Sequence, residues 1–549
     1  YGSVATIVNC SVVGNTAKTM GGLSFINRQN GLSDAQAVNT ASFANVAPDD
    51  VSDGAPNWRG KPEKFINCAF PKRANETTVV TDDPGFTDMA KGDFRLTADS
   101  VLRDAGVDDG QAGDLDLEKN PRRSEDTPPD IGCYEYDKSK VALGVKLAPL
   151  SGFVGTTFVF TPVIEGLSSD VPRTWTLTDT LGTATELTAA EAETGVKLTT
   201  PGKYLVTLTV RPEGGEPLSF VRGDRLHVAA LTNYVNVAST TPREPYATPE
   251  TAAANVNDVL AWTLDGSVVQ VADGVYATGE TVTLDGGVTL LSEHGAAKTS
   301  LVRGAKEPEF GIVTLNHTNA VLRGFTVTGG ARTNGGGVLI AVNGGTVEDC
   351  VITNNQSGAW ALDGAGVDCV SSKGVVRRCV VAFNRHTGNN AGPAGVRMAN
   401  GRIENCLIAN NNAALGQWGN NRVGGLLLEA PAVAYNCTVV SNRSHNACGG
   451  VRFENGSRAV NCAMYGNFLE KNGVTTPNAD FLLPDSGAAV ISNCAATVAV
   501  GVNGKTGDPM FRNPARGDWR LRRASPLVDA GRDVDFSEAP AKDLLGRPR

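Results

Sequence analysis

Five cysteines of the 549-residue chain fall at positions 350, 379, 406, 437 and 462, in steps of 29, 27, 31 and 25 residues. A unit of this length cannot bury an apolar face alone, so its recurrence specifies stacking. Each cysteine follows a polar residue: Asp349-Cys350, Arg378-Cys379, Asn405-Cys406, Asn436-Cys437 and Asn461-Cys462. The same frame occurs at Asn9-Cys10, Asn67-Cys68 and Asn493-Cys494. After the cysteine the residues alternate and then turn, as in Cys437-Thr438-Val439-Val440-Ser441-Asn442, which predicts a short strand.

A second marker separates constant from variable length. Gly336-Gly337-Val338, Gly424-Gly425-Leu426 and Gly449-Gly450-Val451 share a frame with Gly366-Val367 and Gly395-Val396. From the second glycine to the next cysteine is 11 to 13 residues, whereas from cysteine to the next such glycine is 13 to 19. One side of each unit is nearly fixed and one loop varies, the pattern of a parallel β-helix with loops along one edge. A third marker is Asn at Cys+5, at Asn15, Asn355, Asn384, Asn411, Asn442 and Asn467. Asn tolerates left-handed geometry at a bend, and stacked amides can hydrogen-bond from coil to coil. Arg73 and Ala499 replace it after Cys68 and Cys494, so the column is expected to stop there. The chain has eleven cysteines but no C-x-x-C pair and no histidine at zinc-ligand spacing. Cys350, Cys379, Cys406, Cys437 and Cys462 therefore read as buried apolar thiols that count coils.

Other segments mark ends and interruptions. Strand patterns at 234–238, 268–272 and 281–284 begin a solenoid, and Thr248-Pro249-Glu250 predicts an N-cap. Ala252, Val256, Val259 and Leu260 follow at helical spacing, predicting one short amphipathic helix over the first coil. Asp83-Pro84-Gly85-Phe86, Gly92-Asp93-Phe94-Arg95-Leu96, Ser100 and Asp104-Ala105-Gly106 recur 425 residues later. The copy runs Asp508-Pro509-Met510-Phe511, Gly517-Asp518-Trp519-Arg520-Leu521, Ser525 and Asp529-Ala530-Gly531. Asn120-Pro121-Arg122 matches Arg547-Pro548-Arg549, and only the first copy continues through Asp130-Ile131-Gly132-Cys133-Tyr134-Glu135-Tyr136. The expectation is a piece of a longer repetitive chain. Between the copies, Val/Thr/Leu alternation around Trp175 and the run 203–210 predict a β-sandwich. The expected all-β organisation is thus a first β-helix tail (1–139), an immunoglobulin-like sandwich (140–230), a second parallel β-helix (231–507) and its closing tail (508–549).

Residues 83–136 and 508–549 resemble the choice-of-anchor tail, Q type, of secreted bacterial β-helix proteins. That pattern runs D-P-x-F, G-D-[YFW]-R-L, S-P-x-[IV]-D-A-G, D-x-x-G-x-P-R and D-I-G-[AC]-[YF]-E. Val101 departs from it in the first copy, whereas Pro526 agrees in the second. Residues 201–210 with Trp175 resemble PKD-like domains, and the coils resemble the pectin-lyase-like superfamily with its right-handed solenoid. These resemblances imply an extracellular or cell-surface bacterial protein whose secretion signal lies outside this segment. They are specific for architecture and weak for activity.

Net charge is −9 with the signs interspersed, which excludes a basic nucleic-acid face, and no apolar run is long enough to span a membrane. Polygalacturonase and pectate-lyase site motifs are absent. The column two residues after the second glycine is Leu339, Asp368, Arg397, Leu427 and Arg452, with alternation placing it outward. Asp368 and Arg397 are the catalytic candidates; the blander reading is an exposed cross-strand ion pair. Asp363 and Asp368 share a coil, and no other acid is expected beside them. The variable loops carry Trp360, Asp363, Arg385, His386, Trp418, Arg422, Arg443 and His445, residues suited to glycan or protein contact. Asp104, Asp109, Asp114 and Asp116 are weak Ca²⁺ candidates. The alternative pairs Asp104 with Arg95 and Arg122 as a lock on the tail, repeated by Asp529, Arg520 and Arg549. No other cofactor is expected. The functional expectation is a non-catalytic surface or fibre module that contacts copies of itself, with a polysaccharide-binding or polysaccharide-cleaving protein as the alternative.

Overall fold

Three-residue segments with apolar ends and an outward middle residue make the walls of the solenoid. Val338–Ile340, Val367–Cys369, Val396–Met398, Leu426–Leu428 and Val451–Phe453 stack in parallel register. The computed structural model describes the chain except residues 1–5, 18–20, 28–30, 33–34, 47–56, 60–61, 72–76, 109, 111–112, 123–126, 137–140, 305–309, 333–334, 359–362, 388–391, 414–421, 472, 535, 538–541 and 549. It forms two compact units, Tyr1–Val228 and Ala229–Arg549.

In the second unit a ten-stranded, a nine-stranded and an eight-stranded sheet make three faces, and a seven-stranded ladder of short strands makes a corner. The inward side chains form one continuous core that includes Cys350, Cys379, Cys406, Cys437, Cys462 and Cys494. Every cysteine of the chain is a free thiol. Burial pushes the thiols of Cys350, Cys379 and Cys406 well above their ordinary value.

The bends are not where the asparagine column predicts them. Left-handed φ occurs one residue before the cysteine, at Asp349, Arg378, Asn405, Asn436 and Asn461, and again at Cys+4, at Asn354, Phe383, Asn410 and Ser441. The Cys+5 asparagines follow the bend, and their amides point inside. Other coils lack the cysteine altogether. Thr40, between left-handed Asn39 and Ala44, stands in its place in the first unit, and Phe325, between Gly324 and Gly329, in the second. The glycine frame answers to packing: a Cβ on Gly366 would lie 2.7 Å from the Gly395 carbonyl oxygen and 2.9 Å from Asn384 Nδ2.

The start of the second unit differs from the single helix expected. Thr248 caps a 3-10 turn, Pro249–Thr251, and a separate helix, Val256–Leu260, begins at Asn255, whose side chain accepts from the Asn257 amide. The α-helical hydrogen-bond pattern is interrupted at Ala252, whose ψ of 141° is extended. The turn between 272 and 281 also holds a strand of its own, Gly274–Thr278. No helix among the described residues is long and apolar enough to cross a membrane.

The first unit contains parallel coils built from Thr6–Val8, Gln36–Val38 and Phe65–Ile66, and from Ser11–Val13, Ala41–Phe43 and Ala69–Phe70. It also contains an antiparallel two-sheet region in which Arg173–Thr178 pairs with Gly202–Val210. Trp175 is fully buried there against Phe160, and its Nε1 donates to Glu193. Each duplicated tail opens with an antiparallel pair, Phe86–Asp88 with Asp93–Leu96 and Phe511–Asn513 with Asp518–Leu521.

Candidate functional site

The asparagines after the second bend line up one per coil. Asn355 Nδ2 donates to Asn384 Oδ1 at 3.0 Å, Asn384 to Asn411 at 3.0 Å, Asn411 to Asn442 at 2.9 Å and Asn442 to Asn467 at 3.0 Å. Each backbone amide donates to the same oxygen, and each Nδ2 also donates to a carbonyl of the preceding coil. The column ends on Asp480, whose Oδ1 accepts from Asn467 Nδ2 and N. In the first unit Asn15 donates to Asn45, and Asn45 to Asn57. Asp480, Asn45 and Asn57 lie outside the Cys+5 frame, so the spacing that finds the other members passes over all three. An interior amide such as that of Asn411 makes four hydrogen bonds, two accepted by Oδ1 and two donated by Nδ2, which suits a spine rather than a binding surface.

The outward column of the eight-stranded sheet holds a charge cluster. Arg397 Nη1 lies 2.9 Å from Asp363 and 3.5 Å from Asp368, and its Nε lies 2.9 Å from Glu429. Two expectations are corrected here. Asp368 is only 2% exposed, not a surface residue, and Glu429 joins the two acids through Arg397. Burial, and then the neighbouring Asp363, pushes the Asp368 carboxyl up to about 7, against the pull of Arg397. The folded chain therefore keeps a proton that the unfolded chain releases, so stability falls as pH rises from about 4 to about 7. Asp368→Asn keeps the shape and removes the titration. Urea unfolding should show the variant about 1–2 kcal/mol more stable than wild type at pH 8 and equal to it at pH 4.

The loop residues part company. Trp360 and Trp418 lie outside the described residues. His386 is not on an exposed loop: it ends the short strand Arg385–His386, is fully buried, and is hydrogen-bonded through Nδ1 to Ser357 at 2.6 Å. Arg422 is fully buried as well, at the start of the next wall, and its carbonyl accepts from Ser444 Oγ. His386 is buried because the seven-stranded corner continues the ladder into what the spacing reads as loop. Arg443 lies on that corner and pairs with Glu470 at 2.9 Å, and His445 is half-buried in the turn that follows.

The tail also pairs differently from the expected lock. Arg95 Nη2 meets Asp93 at 2.5 Å and Arg520 meets Asp518 at 2.7 Å, partners two residues away. Arg122 meets Glu135 at 2.8 Å rather than Asp104. Local pairing wins because adjacent outward positions on one short strand bring the groups together without a loop closing. Asp116 accepts from the amides of Asn120 and Glu135 and from Asn120 Nδ2. Asp109 and Arg549 are outside the described residues. Among the described residues, no three Asp, Glu, His or Cys side chains gather as a metal site.

Sequence spacing does not disclose a second charge cluster, on the ten-stranded sheet. Arg323, Glu348, Arg377 and Glu404 succeed one another in one column of four coils. Ser537, from the closing tail, donates its N and Oγ to Glu404 and lies 3.2 Å from Arg377. What the two clusters can do chemically is limited, since each ion already has opposite charges at contact distance.

Stacked parallel coils with inward apolar columns define a β-helix, and residues 309–501 match the family model described as a right handed beta helix region. The fold class is accordingly an all-β, right-handed parallel β-helix. Among solved structures the chain is similar to one entitled crystal structure of pectate lyase Pel9A, at 13% identity and a TM-score of 0.37. That likeness covers 57% of this chain and 95% of the other. No curated protein matches.

Proposed function

We propose that the chain is a non-catalytic structural or adhesive module of an extracellular or cell-surface bacterial protein. In this reading it is an elongated spacer or fibre element that contacts copies of itself and takes no resident metal. The single observation that supports it best is the commitment of Arg397 to Asp363, Asp368 and Glu429 together. A lyase or hydrolase needs a base or acid free to meet substrate, and a guanidinium shared among three carboxylates is instead a strut. The two tails, similar to choice-of-anchor modules, and the PKD-like sandwich fit a chain assembled from repeating parts.

One observation favours the second reading, a polysaccharide-binding or polysaccharide-cleaving protein: a carboxyl near pH 7 beside an arginine is a general-acid arrangement. The test incubates the purified chain with a panel of acidic polysaccharides. The structural reading expects no growth of ultraviolet absorbance from unsaturated ends and no new reducing ends. Turnover that Asp368→Asn abolishes would overturn it.

A further inference from the structure

The two copies of the closing tail grip their coils alike. In the first unit Asn39 Nδ2 donates to the Val107 carbonyl at 2.7 Å, and the Val107 amide returns to Asn39 Oδ1 at 2.8 Å. In the second, Asn461 Nδ2 donates to the Arg532 carbonyl at 2.7 Å, and the Arg532 amide returns at 3.0 Å. Val107 and Arg532 hold the same place in the repeat, so Asn39 and Asn461 fix the correspondence between coils. Asn67 and Asn493, one coil on, reach the carbonyls of Ala105 and Ala530, again at matching places.

In the first unit a further segment lies against this grip. Gly106 N donates to the Pro129 carbonyl at 2.8 Å, Ile131 N to the Leu102 carbonyl at 2.9 Å and Gly132 N to the Asn39 carbonyl at 2.9 Å. Asp104 N donates to Asp130 Oδ1 at 2.6 Å, and Cys133 N to Ser11 Oγ at 3.2 Å. Ile131 is fully buried in a cluster with Ala41, Phe86 and Leu102. The residues holding this segment are thus Ser11, Asn39, Leu102, Asp104 and Gly106.

Their counterparts in the second unit are Thr438, Asn461, Leu527, Asp529 and Gly531. All five line one open cleft of about 740 Å³, together with Ala463 and Phe511, the counterparts of Ala41 and Phe86. Among the described residues nothing takes the place of Ile131 there, and the Asp529 and Gly531 amides and the Leu527 carbonyl have no hydrogen-bond partner. Leu102 is fully buried, whereas Leu527 is partly exposed on the cleft wall. A Cβ on Gly531 would lie 3.2 Å from the Asn461 side chain, so a bulkier residue would crowd this wall.

We propose that this cleft is a peptide-docking site. Its occupant is an extended segment with the chemistry of residues 129–136: an aspartate that takes the Asp529 amide, an aliphatic residue on Leu527 and Phe511, then a glycine against Asn461. The match is one of hydrogen-bond pattern and shape, and it holds whether or not the chain also binds glycan.

A fluorescently labelled synthetic peptide of residues 127–138 is titrated into the full chain and followed by anisotropy. Saturable binding at one site is expected. The peptide with Ile131→Asp, and separately the chain with Leu527→Asp, should each weaken it at least tenfold. Because Leu527→Asp can also disturb folding, deuterium exchange of the unaltered chain is measured with and without peptide. Slowed exchange at 527–531 and 461–463 is expected. The proposal is overturned by absence of saturable binding, by equal binding of the Ile131→Asp peptide, or by protection confined to other coils.

Discussion

Asn411→Ala is expected to destabilise the second unit by about 3–5 kcal/mol, measured by urea unfolding followed through circular dichroism. The size follows from what one side chain does. Asn411 Oδ1 accepts from both the amide and the Nδ2 of Asn384, and its Nδ2 donates to the Val381 carbonyl and to Asn442 Oδ1. Truncation leaves several groups without partners in a site no water reaches, at about 1–3 kcal/mol for each buried group that finds no substitute. Asn411→Asp should cost as much, because a carboxylate accepts from Asn384 but donates nothing to Val381 or Asn442 and carries a buried charge. Asn15→Ala is the control: Asn15 is exposed at the open end of its column and donates to Asn45 and its own strand, so about 1 kcal/mol is expected. Equal losses at Asn15 and Asn411 would show that the column is not a cooperative spine.

The β-helix was legible in the spacing because its core repeats: the same face, the same bend and the same glycine return every coil. Thr40 and Phe325 escaped that reading because the wall asks only for a buried side chain at the bend, and neither threonine nor phenylalanine marks a period as cysteine does. The bends themselves were misplaced by one residue. A left-handed position and the inward amide beside it both favour asparagine, and Asn354-Asn355 supplies one to each. Burial on the outer side was the larger loss. Alternation places Asp368 and Glu348 outside the core, but outside is not exposed when distant groups cover it. Glu429 joins the Asp368 cluster from two coils on, and Ser537 reaches Glu404 across 133 residues. No local pattern carries such contacts. The same holds for the cleft at the second tail, which became visible only beside its filled counterpart in the first unit.

Glu348→Ala should be the most damaging change on the outer surface of the solenoid, about 3–5 kcal/mol by the same unfolding measurement. Glu348 is fully buried and contacts Arg323, Arg377 Nε at 2.6 Å and Arg378 Nη2 at 3.0 Å. Arg323 is 44% exposed and can turn to water when its partner goes. Arg378 is 5% exposed and Arg377 16%, so their charges stay, and Asp349 compensates only Arg378. The cost is therefore set by the buried guanidiniums that lose a carboxylate, Arg377 above all, rather than by the pair's own attraction. Replacing Glu348 together with Arg377 by leucine should recover most of the loss, since an apolar contact of similar volume removes the stranded charge too. The pH profile separates this site from Asp368. Burial raises the Glu348 carboxyl, but Arg377 and then Arg323 outweigh it and hold the group below its ordinary value of 4.5. A depressed folded-state value means that the stabilisation is present above about pH 4.5 and is lost as pH falls through that lower value. The difference between wild type and Glu348→Ala should then narrow on acidification below pH 4, whereas the Asp368→Asn difference grows toward alkaline pH. Relative to wild type, Glu348→Ala should therefore lose stability and Asp368→Asn gain it as pH rises; if both variants moved the same way, the assignment of opposite shifts to the two carboxyls would fail.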